Sequence, residues 1–151
     1  MLRTRLNDAL KDAMKAKDQC ATATLRLILA ALKDRDIASR SNGTSEGVSE
    51  DQILELLQKM IRQREDSIEA FKKGDRSDLV KKEEQEIRVI ERFLPKPLSE
   101  EEAKEAIEGV ITELEASTIK DMGKVMGALK QRYPGRMDFG KASAAVKQAL
   151  A

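Results

Sequence analysis

The amino-acid sequence predicts an all-α protein, with a four-helix N-terminal domain over residues 1–94 and a three-helix tail domain over residues 98–151. Ala, Leu, Lys and Glu are abundant, whereas aromatic residues make up only 3% of the 151 residues. Such a composition favours helices. No segment places several β-branched or aromatic residues at alternate positions, as a strand does, so no strand is predicted.

The first two helices follow from the spacing of their apolar residues. Residues 2–17 repeat Leu, Ala and Met every three or four positions, which predicts a helix with one apolar side. Asp18 is placed to cap the next helix. Its segment "LRLILAALKDRDIA" is apolar around much of its circumference, as is typical of the central helix of a bundle. This helix is predicted to end near Ile37, and "SRSNGTSEGV", residues 39–48, to form a loop.

Capping signals define the third and fourth helices. Ser49 and Gln52 form the capping-box pattern, which predicts the start of a helix that ends at Gly74. Ser77 is placed to cap the fourth helix, and Pro95 ends it. The stretch "RQRED" (Arg62, Arg64, Glu65 and Asp66) is expected to pair with the fourth helix as a structural network. Lys82 and Glu86 are expected to form a solvated surface pair.

The segment "LPKPLSEEE" predicts the boundary between the two domains, because its prolines stiffen a short extended link. Ser99 and Glu102 make a second capping box, which begins the fifth helix. The fifth helix carries an apolar stripe of Ala103, Ala106, Ile107, Val110, Ile111 and Leu114. Thr118 is predicted to begin a sixth helix that ends at Pro134 and Gly135. Asp138 is predicted to cap a last helix that runs to about Leu150.

The composition excludes several kinds of catalytic site. The chain has no histidine, which removes zinc sites built on imidazole and nucleophilic sites of the Ser-His or Cys-His kind. No glycine-rich stretch has the spacing and the strand-to-helix setting of a phosphate-binding loop. The carboxylates of "KKEEQEIRVIER" are candidates for an acid/base pair or a site for a hard metal ion, but their spacing is typical of surface ion pairs. We therefore predict no catalytic residue, no cofactor and no metal site.

The predicted location depends on what the sequence lacks. Cys20 is the single cysteine, so no intrachain disulfide forms and a reducing compartment is expected. No secretory signal and no apolar run long enough to cross a bilayer is visible. These observations predict a soluble, cytoplasmic protein with no membrane partner.

The stretch "TIKDMGKVMGALKQRYPGRMDFGK", residues 118–141, is unusual for a helix and its exit loop. It places Gly123 and Gly127 in mid-helix, where each glycine costs about 1 kcal/mol relative to alanine. Its charge is strongly positive, whereas residues 97–117 are strongly negative. On a helical wheel one side groups the residues expected to pack on the neighbouring helices: Ile119, Met122, Val125, Met126, Leu129 and Tyr133. The opposite side groups Lys120, Gly123, Lys124 and Gly127.

This glycine-and-lysine side suits the backbone of a nucleic acid. Missing side chains let another backbone approach, and lysines supply charge for phosphates. Lys141 lies in the first turn of the last helix, whose N–H groups can also meet an anion. Tyr133 and Phe139 are expected in the core, which leaves few surfaces for base stacking. The predicted RNA-binding residues are Lys120, Gly123, Lys124, Gly127, Lys130, Arg132, Arg136 and Lys141.

Two other interpretations of the same helix remain open. In the first, Gly123 and Gly127 allow tight packing on a neighbouring helix of the same fold, and the lysines only keep the surface soluble. In the second, the glycine side receives a helix of a partner protein, and the chain is a protein-interaction module.

The closing segment "DMGKVMGALKQRYPGRMDFGKASAAVKQAL" resembles a segment shared by the YqeY family and the tail domain of the B subunit of the tRNA-dependent amidotransferase. A D-x-G-K-x-M helix there precedes a G-x-x-D turn, and the matching positions are Asp121, Gly123, Lys124, Met126, Gly135 and Asp138. The upstream segments "LRLILAALKDRDI", "QREDSIEAFKKGDRSDLVKKEEQEI" and "FLPKPLSEEE" are similar to stand-alone YqeY-like proteins, so the resemblance covers almost the whole chain.

The resemblance implies a four-helix domain followed by a three-helix tail of the GatB/YqeY type. It implies that relatives of the tail help an amidotransferase to hold tRNA while Glu-tRNA(Gln) or Asp-tRNA(Asn) is amidated. The implied partners are therefore tRNA and an aminoacyl-tRNA amidotransferase or synthetase. The catalytic domain of the B subunit has no counterpart here, so a label of glutamine-dependent carbon–nitrogen ligase rests on the shared tail alone. We expect a non-catalytic, tRNA-related accessory protein.

Overall fold

The computed structural model describes residues 1–41 and 47–151, and within these ranges all regular structure is helical. The prediction of an all-α fold is confirmed. Seven α-helices are described: α1 (Leu2–Lys15), α2 (Gln19–Ser41), α3 (Glu50–Lys73), α4 (Ser77–Glu91), α5 (Glu100–Glu113), α6 (Met122–Arg132) and α7 (Phe139–Leu150). A single 3₁₀ turn, Ile119–Asp121, comes directly before α6.

The helices fall into two compact units. Met1–Leu94 contains α1 to α4 and is called the N-terminal unit below, and Pro95–Ala151 contains α5 to α7 and is called the tail unit. Each unit has an apolar core of its own.

In the N-terminal unit, α2 packs against α1 and α4, and α3 packs mainly against α4. The apolar spacing in the sequence supplies the core, whose fully enclosed side chains are Leu6, Ile28, Ile53, Leu57 and Ile90. Among the residues that the structure describes, Thr24 is the one buried polar residue, and its hydroxyl donates to the carbonyl of Cys20 at 2.8 Å. That bond within α2 removes the cost of burying a hydroxyl without a partner.

An ion pair joins the start of α1, the C-terminal part of α2 and the approach to α3. The guanidinium of Arg3 donates to both carboxylate oxygens of Asp36, each at 2.7 Å, and also to the carbonyl of Val48 at 3.1 Å. The N–H of Val48 donates back to Asp36 at 3.0 Å. Gly47 has a φ of +86°, and a Cβ there would lie 2.6 Å from a carboxylate oxygen of Asp36. The cluster therefore requires glycine at this position.

We expect the Asp36→Asn variant to be less stable than wild type at pH 7 by about 1–2 kcal/mol, because it loses a charge-assisted bidentate pair that is partly open to solvent. The hydrogen bonds from Arg3 and, secondarily, from Val48 lower the pKa of Asp36 to about 2, against a usual 3.8. A lowered pKa stabilises the fold above pH 4, and this contribution is lost as the pH falls towards 2. The difference in free energy of unfolding between Asp36→Asn and wild type should therefore become smaller as the pH falls from 4 to 2.

Urea unfolding at pH 7 and at pH 2.5 measures this effect, with the exposed Asp8→Asn as the matched control. A difference between Asp36→Asn and wild type that stays constant over this range contradicts the assignment.

A second ion pair crosses from α3 to α4. The Nε of Arg64 donates to Glu86 at 3.1 Å, and both side chains are largely buried. The predicted pairing of "RQRED" with the fourth helix is thus present at Arg64. Glu86 turns towards Arg64, so its predicted role as the surface partner of Lys82 is not what the structure shows. The neighbouring Glu83 has a raised pKa, because it is partly desolvated and lies near the charge of Glu86.

The predicted end of the second helix near Ile37 is wrong, because α2 continues to Ser41. The hydroxyls of Ser39 and Ser41 donate to the carbonyls of Asp36 and Ala38, at 2.8 and 2.7 Å, and so these serines are accommodated inside the helix. Residues 42–46 of the predicted loop lie outside the described residues. Both predicted capping boxes, Ser49 with Gln52 and Ser99 with Glu102, are present.

The tail unit is built on α6, which packs against both α5 and α7. Its core is closed by Ile107, Val110, Val125, Leu129, Met137, Ala142, Val146 and Leu150. Asp138 caps α7 as predicted, and accepts from the N–H groups of Gly140 and Lys141. Within the described ranges, no helix combines the length and the apolar composition that crossing a bilayer requires.

Candidate nucleic-acid interface

The start of α6 is set by Asp121. Its carboxylate accepts from the backbone N–H groups of Ser117 and Thr118, at 3.1 and 3.4 Å. These bonds lower the pKa of Asp121, and the nearby charge of Lys124 adds to the effect. Thr118 begins a 3₁₀ turn and not an α-helix, which shifts the direction of the following side chains. Ile119, predicted to pack, is consequently 51% exposed.

One side of α6 holds the helix in the tail unit. Val125 and Leu129 are fully buried, and Met122, Met126 and Tyr133 pack around them. These contacts fix the rotation of the helix about its axis, and so they determine which side faces solvent.

The other side of α6 is open. Gly123, Lys124, Gly127 and Lys130 are all exposed there, and Lys120 is exposed in the 3₁₀ turn directly before α6. A Cβ added at Gly123 or at Gly127 would meet no atom within 4 Å. Among the described residues, therefore, no neighbouring helix packs against these glycines, which argues against the interpretation of tight packing within the fold.

Arg132 is the last residue of α6 and Arg136 follows in the loop after it, and both form hydrogen bonds within the tail unit. Arg132 donates to both carboxylate oxygens of Glu113 on α5, at 2.7 and 2.9 Å. The Nε of Arg136 donates to the carbonyl of Lys96 at 3.0 Å, and its own carbonyl accepts from the N–H of Leu98 at 2.8 Å. Both arginines tie segments of the tail unit together, and the structure does not bring them to the open side of α6.

Lys141 also lies apart from that side. It lines a groove of about 580 Å³ between α5 and α7, together with Leu98, Lys104 and Ile107. The N–H groups at the start of α7 are already bonded to the Asp138 side chain. Of the eight predicted RNA-binding residues, four are exposed on the open side of α6, and Lys120 is exposed in the 3₁₀ turn before it. The other three, Arg132, Arg136 and Lys141, lie outside that side.

Four of the six residues that carry the resemblance have a structural role in the tail unit. Asp121 and Asp138 accept hydrogen bonds at helix starts, and Met126 packs against the core. Gly135 is buried with a φ of +75°, a conformation that side chains disfavour. Gly123 and Lys124 are exposed and have no comparable packing role. The structure shows no packing contact for either residue, and the charge of Lys124 acts on Asp121.

Because Gly127 is exposed, replacing it measures how much helix stability the glycine costs. We expect Gly127→Ala to stabilise the tail unit by about 0.5–1 kcal/mol, because alanine suits a helix interior better and meets no obstacle here. Thermal unfolding followed by circular dichroism measures the change. Gly109→Ala in α5 is the matched control, since a Cβ at Gly109 also meets no atom within 4 Å. A loss of stability in Gly127→Ala alone would show that another element packs on α6.

The described residues contain no group of three or more Cys, Asp or Glu side chains placed to hold a metal ion. Cys20 is free and half-buried. We assign no reacting group to either unit.

Comparison with known proteins gives one family. The family model described as "Yqey-like protein" matches residues 3–150. Several curated relatives carry the name "Altered inheritance of mitochondria protein 41, mitochondrial". The one from Lachancea thermotolerans is 40% identical over 114 residues, which is 74% of this chain and 59% of the relative. The one from Kluyveromyces lactis is 36% identical over 115 residues, which is 74% of this chain and 60% of the relative. The one from Saccharomyces cerevisiae is 35% identical over 97 residues, which is 64% of this chain and 50% of the relative.

The chain thus spans about half to six tenths of the length of these relatives. The names of the relatives contradict the predicted cytoplasmic location, which was wrong, because all three are named mitochondrial proteins. The physical reason is that a lone cysteine and the lack of an apolar span suit any reducing compartment. Composition does not distinguish one such compartment from another.

Proposed function

Because this chain belongs to the YqeY-like family, whose model matches residues 3–150, we propose that it is a non-catalytic accessory protein that binds tRNA through its tail unit. In this proposal the N-terminal unit is the four-helix domain, and the tail unit is a three-helix domain of the GatB/YqeY type. The partner would be an aminoacyl-tRNA amidotransferase or synthetase, which the resemblance of the tail suggests.

The observation that carries the proposal is the open side of α6. Two glycines there leave the helix backbone uncovered, and Lys120, Lys124 and Lys130 surround them. A mid-helix glycine makes the helix less stable by about 1 kcal/mol than alanine would. Within the described residues, no packing against these glycines compensates for that loss. A bound ligand that needs close access to the helix accounts for this arrangement.

The ligand class follows from the charges. Lys120 to Lys130 spans about 15 Å along a helix axis, a length over which a nucleic-acid strand presents several phosphates. A phosphate chain seated on the glycines would have ammonium groups on both sides. Tyr133 and Phe139 are half-buried against the tail core, so neither offers a free ring for stacking. We therefore propose recognition of the RNA backbone and shape, without readout of single bases.

The proposal is tested by measuring the affinity of the full chain for total tRNA across a salt series. A mitochondrial tRNA fraction is included because the named relatives are mitochondrial, and a duplex RNA of equal length is the control. We expect tRNA to bind more tightly than the duplex, with affinity falling steeply as salt rises, because lysines displace counterions from phosphates. Absence of tRNA binding at 50 mM salt contradicts the proposal.

The second candidate function is a helical protein-interaction module that uses the same glycines to receive a partner helix. Binding of that kind depends on shape, so it should persist at high salt and be abolished by Gly123→Leu with the fold intact. Gly109→Leu is the matched control, because it adds the same bulk at an equally open site in α5. A partner complex that resists salt and depends on Gly123 favours this function over RNA binding.

Catalysis by the chain alone is not part of the proposal. A glutamine-dependent carbon–nitrogen ligase must use ATP and hydrolyse glutamine, and we identify no residues here for either step. We expect the purified chain to release no ammonia from glutamine in the presence of ATP and charged tRNA. Release above the rate of a blank reaction would require a catalytic site and would overturn the assignment.

A further inference from the structure

The outer side of α2 carries an apolar stripe with no covering element among the described residues. Leu27 is 49% exposed and Ile37 is 53% exposed. Ala23, Ala30 and Asp34 lie between and beside them and are also exposed. The spacing from Ala23 through Leu27, Ala30 and Asp34 to Ile37 alternates four and three residues. That alternation is the pattern of a helix that packs along a second helix.

A row of positive charge runs beside the stripe. Arg26, Lys33 and Arg40 are exposed and lie seven residues apart, so they follow one edge of the apolar surface along the helix. The stripe begins at a surface depression of about 510 Å³, lined by Met14, Thr22, Ala23 and Arg26 among others. Met14 is itself 51% exposed there. The surface thus combines an apolar seam, a recess at one end and a basic edge.

A second copy of this chain fits the surface poorly. If two α2 helices packed antiparallel, the row of Arg26, Lys33 and Arg40 would face its own copy, and like charges would repel. If they packed parallel, Asp34 would face Asp34 in the middle of the seam. Both orientations place equal charges together, which opposes self-association.

A lipid surface fits poorly for a different reason. Helices that lie in the membrane interface bury a broad apolar face rich in large side chains. Here Asp34 interrupts the seam between Ala30 and Ile37, and it would enter the bilayer boundary close to anionic headgroups. The small alanines suit the close approach of another helix better than they suit lipid.

We propose that the outer side of α2 is the docking site for an amphipathic helix of a partner protein whose flank carries acidic residues. Leu27 and Ile37 contact the apolar side of that helix, and Arg26, Lys33 and Arg40 pair with carboxylates spaced seven residues apart. Asp34 meets a basic residue near the centre. The surface belongs to the N-terminal unit, whereas the tRNA surface proposed for α6 belongs to the tail unit.

The test uses two designed helical peptides and the full chain. Both peptides have leucine at the seam positions and one lysine at the position facing Asp34. One has glutamates on the flank that faces the basic row, and the other has lysines there. We expect the glutamate peptide to bind at least about tenfold more tightly at low salt, since each wrong pairing places like charges opposite each other. Equal binding of the two peptides overturns the proposal.

Two variants assign the binding to α2. Leu27→Ser/Ile37→Ser should abolish peptide binding while leaving the unfolding temperature within about 8 °C of wild type, because both side chains are half-exposed. Arg26→Glu/Lys33→Glu should reverse the preference, so that the lysine peptide binds more tightly. A large loss of stability in the serine variant overturns the proposal, since it would mean that the stripe is packed within the protein.

Two further measurements test whether a second copy of this chain or a lipid surface occupies the outer side of α2. Sedimentation of the full chain reports self-association, and flotation with vesicles of anionic phospholipid reports lipid binding. We expect a monomer and no flotation. A dimer, or vesicle binding, that is lost in Leu27→Ser/Ile37→Ser overturns the proposal in favour of that occupant.

Discussion

The Leu129→Ala variant is expected to unfold the tail unit while the N-terminal unit stays folded. Leu129 is fully buried on the packed side of α6, among Val110, Val125 and Val146. Truncating a buried leucine to alanine costs about 2–5 kcal/mol, through lost burial and the cavity that remains. A helical unit of about 60 residues has little stability to spare, so a loss of this size takes up most or all of it.

The two units have separate cores, and this separation makes the outcome specific. Hydrogen exchange followed by mass spectrometry measures it: protection should be lost across α5 to α7 and retained in α1 to α4. Leu114→Ala is the matched control, because Leu114 belongs to the same unit but is 41% exposed. Protection in the tail that equals wild type in Leu129→Ala would contradict the assigned core, and loss across the whole chain would contradict separate cores.

The Lys120→Glu/Lys124→Glu variant is expected to lose most tRNA affinity with its fold unchanged. Both lysines are exposed beside Gly123, so their reversal disturbs no buried contact. Each lysine that contacts a phosphate contributes about one unit to the slope of log affinity against log salt, so the slope should fall by about 2. The new carboxylates also repel phosphate, and we expect a decrease in affinity on the order of tenfold to a hundredfold at low salt.

The matched control for this variant is Lys11→Glu/Lys15→Glu. These lysines are exposed on α1 with the same spacing of four residues, so the total charge changes equally while α6 is untouched. The control should keep nearly all of the wild-type affinity. If both variants lose affinity equally, binding depends on net charge and α6 is not a specific surface.

Local signals in the sequence predicted the ends of several helices correctly. Ser49 with Gln52, Ser99 with Glu102, and Asp138 all cap helices where the sequence places them. Such caps are hydrogen bonds between residues close in the chain, so the pattern contains both partners. The end of α2 was missed because the same residue types, serines, also bond to carbonyls inside a helix, as Ser39 and Ser41 do.

Ion pairs between residues that are far apart in the sequence were predicted less well. Arg64 was expected to pair towards the fourth helix, but its partner Glu86 was assigned to Lys82 from helix spacing alone. Glu113 and Arg132 are nineteen residues apart, and only the packing of α5 on α6 brings them together. The sequence therefore predicted a longer basic surface, including Arg132 and Arg136, than the one that the structure assembles on α6.

The open side of α6 shows what periodicity does predict. The wheel placed Lys120, Gly123, Lys124 and Gly127 opposite the packed residues, and the structure exposes all four. The wheel failed at Ile119, and the predicted apolar stripe of the fifth helix failed at Leu114, because both residues lie at the irregular ends of helices. A helical wheel assumes regular α-geometry, so it is least accurate where a 3₁₀ turn or a C-terminal cap changes the direction of side chains.

The central claim, that RNA contacts the open side of α6, is tested most directly by following the backbone amide signals of the ¹⁵N-labelled full chain during titration with tRNA. The account predicts that Gly123 and Gly127 shift or broaden first, together with Lys120 and Lys124, while Gly109 and the residues of α1 stay unchanged. Changes confined to other surfaces, with Gly123 and Gly127 unaffected at saturating tRNA, would contradict it.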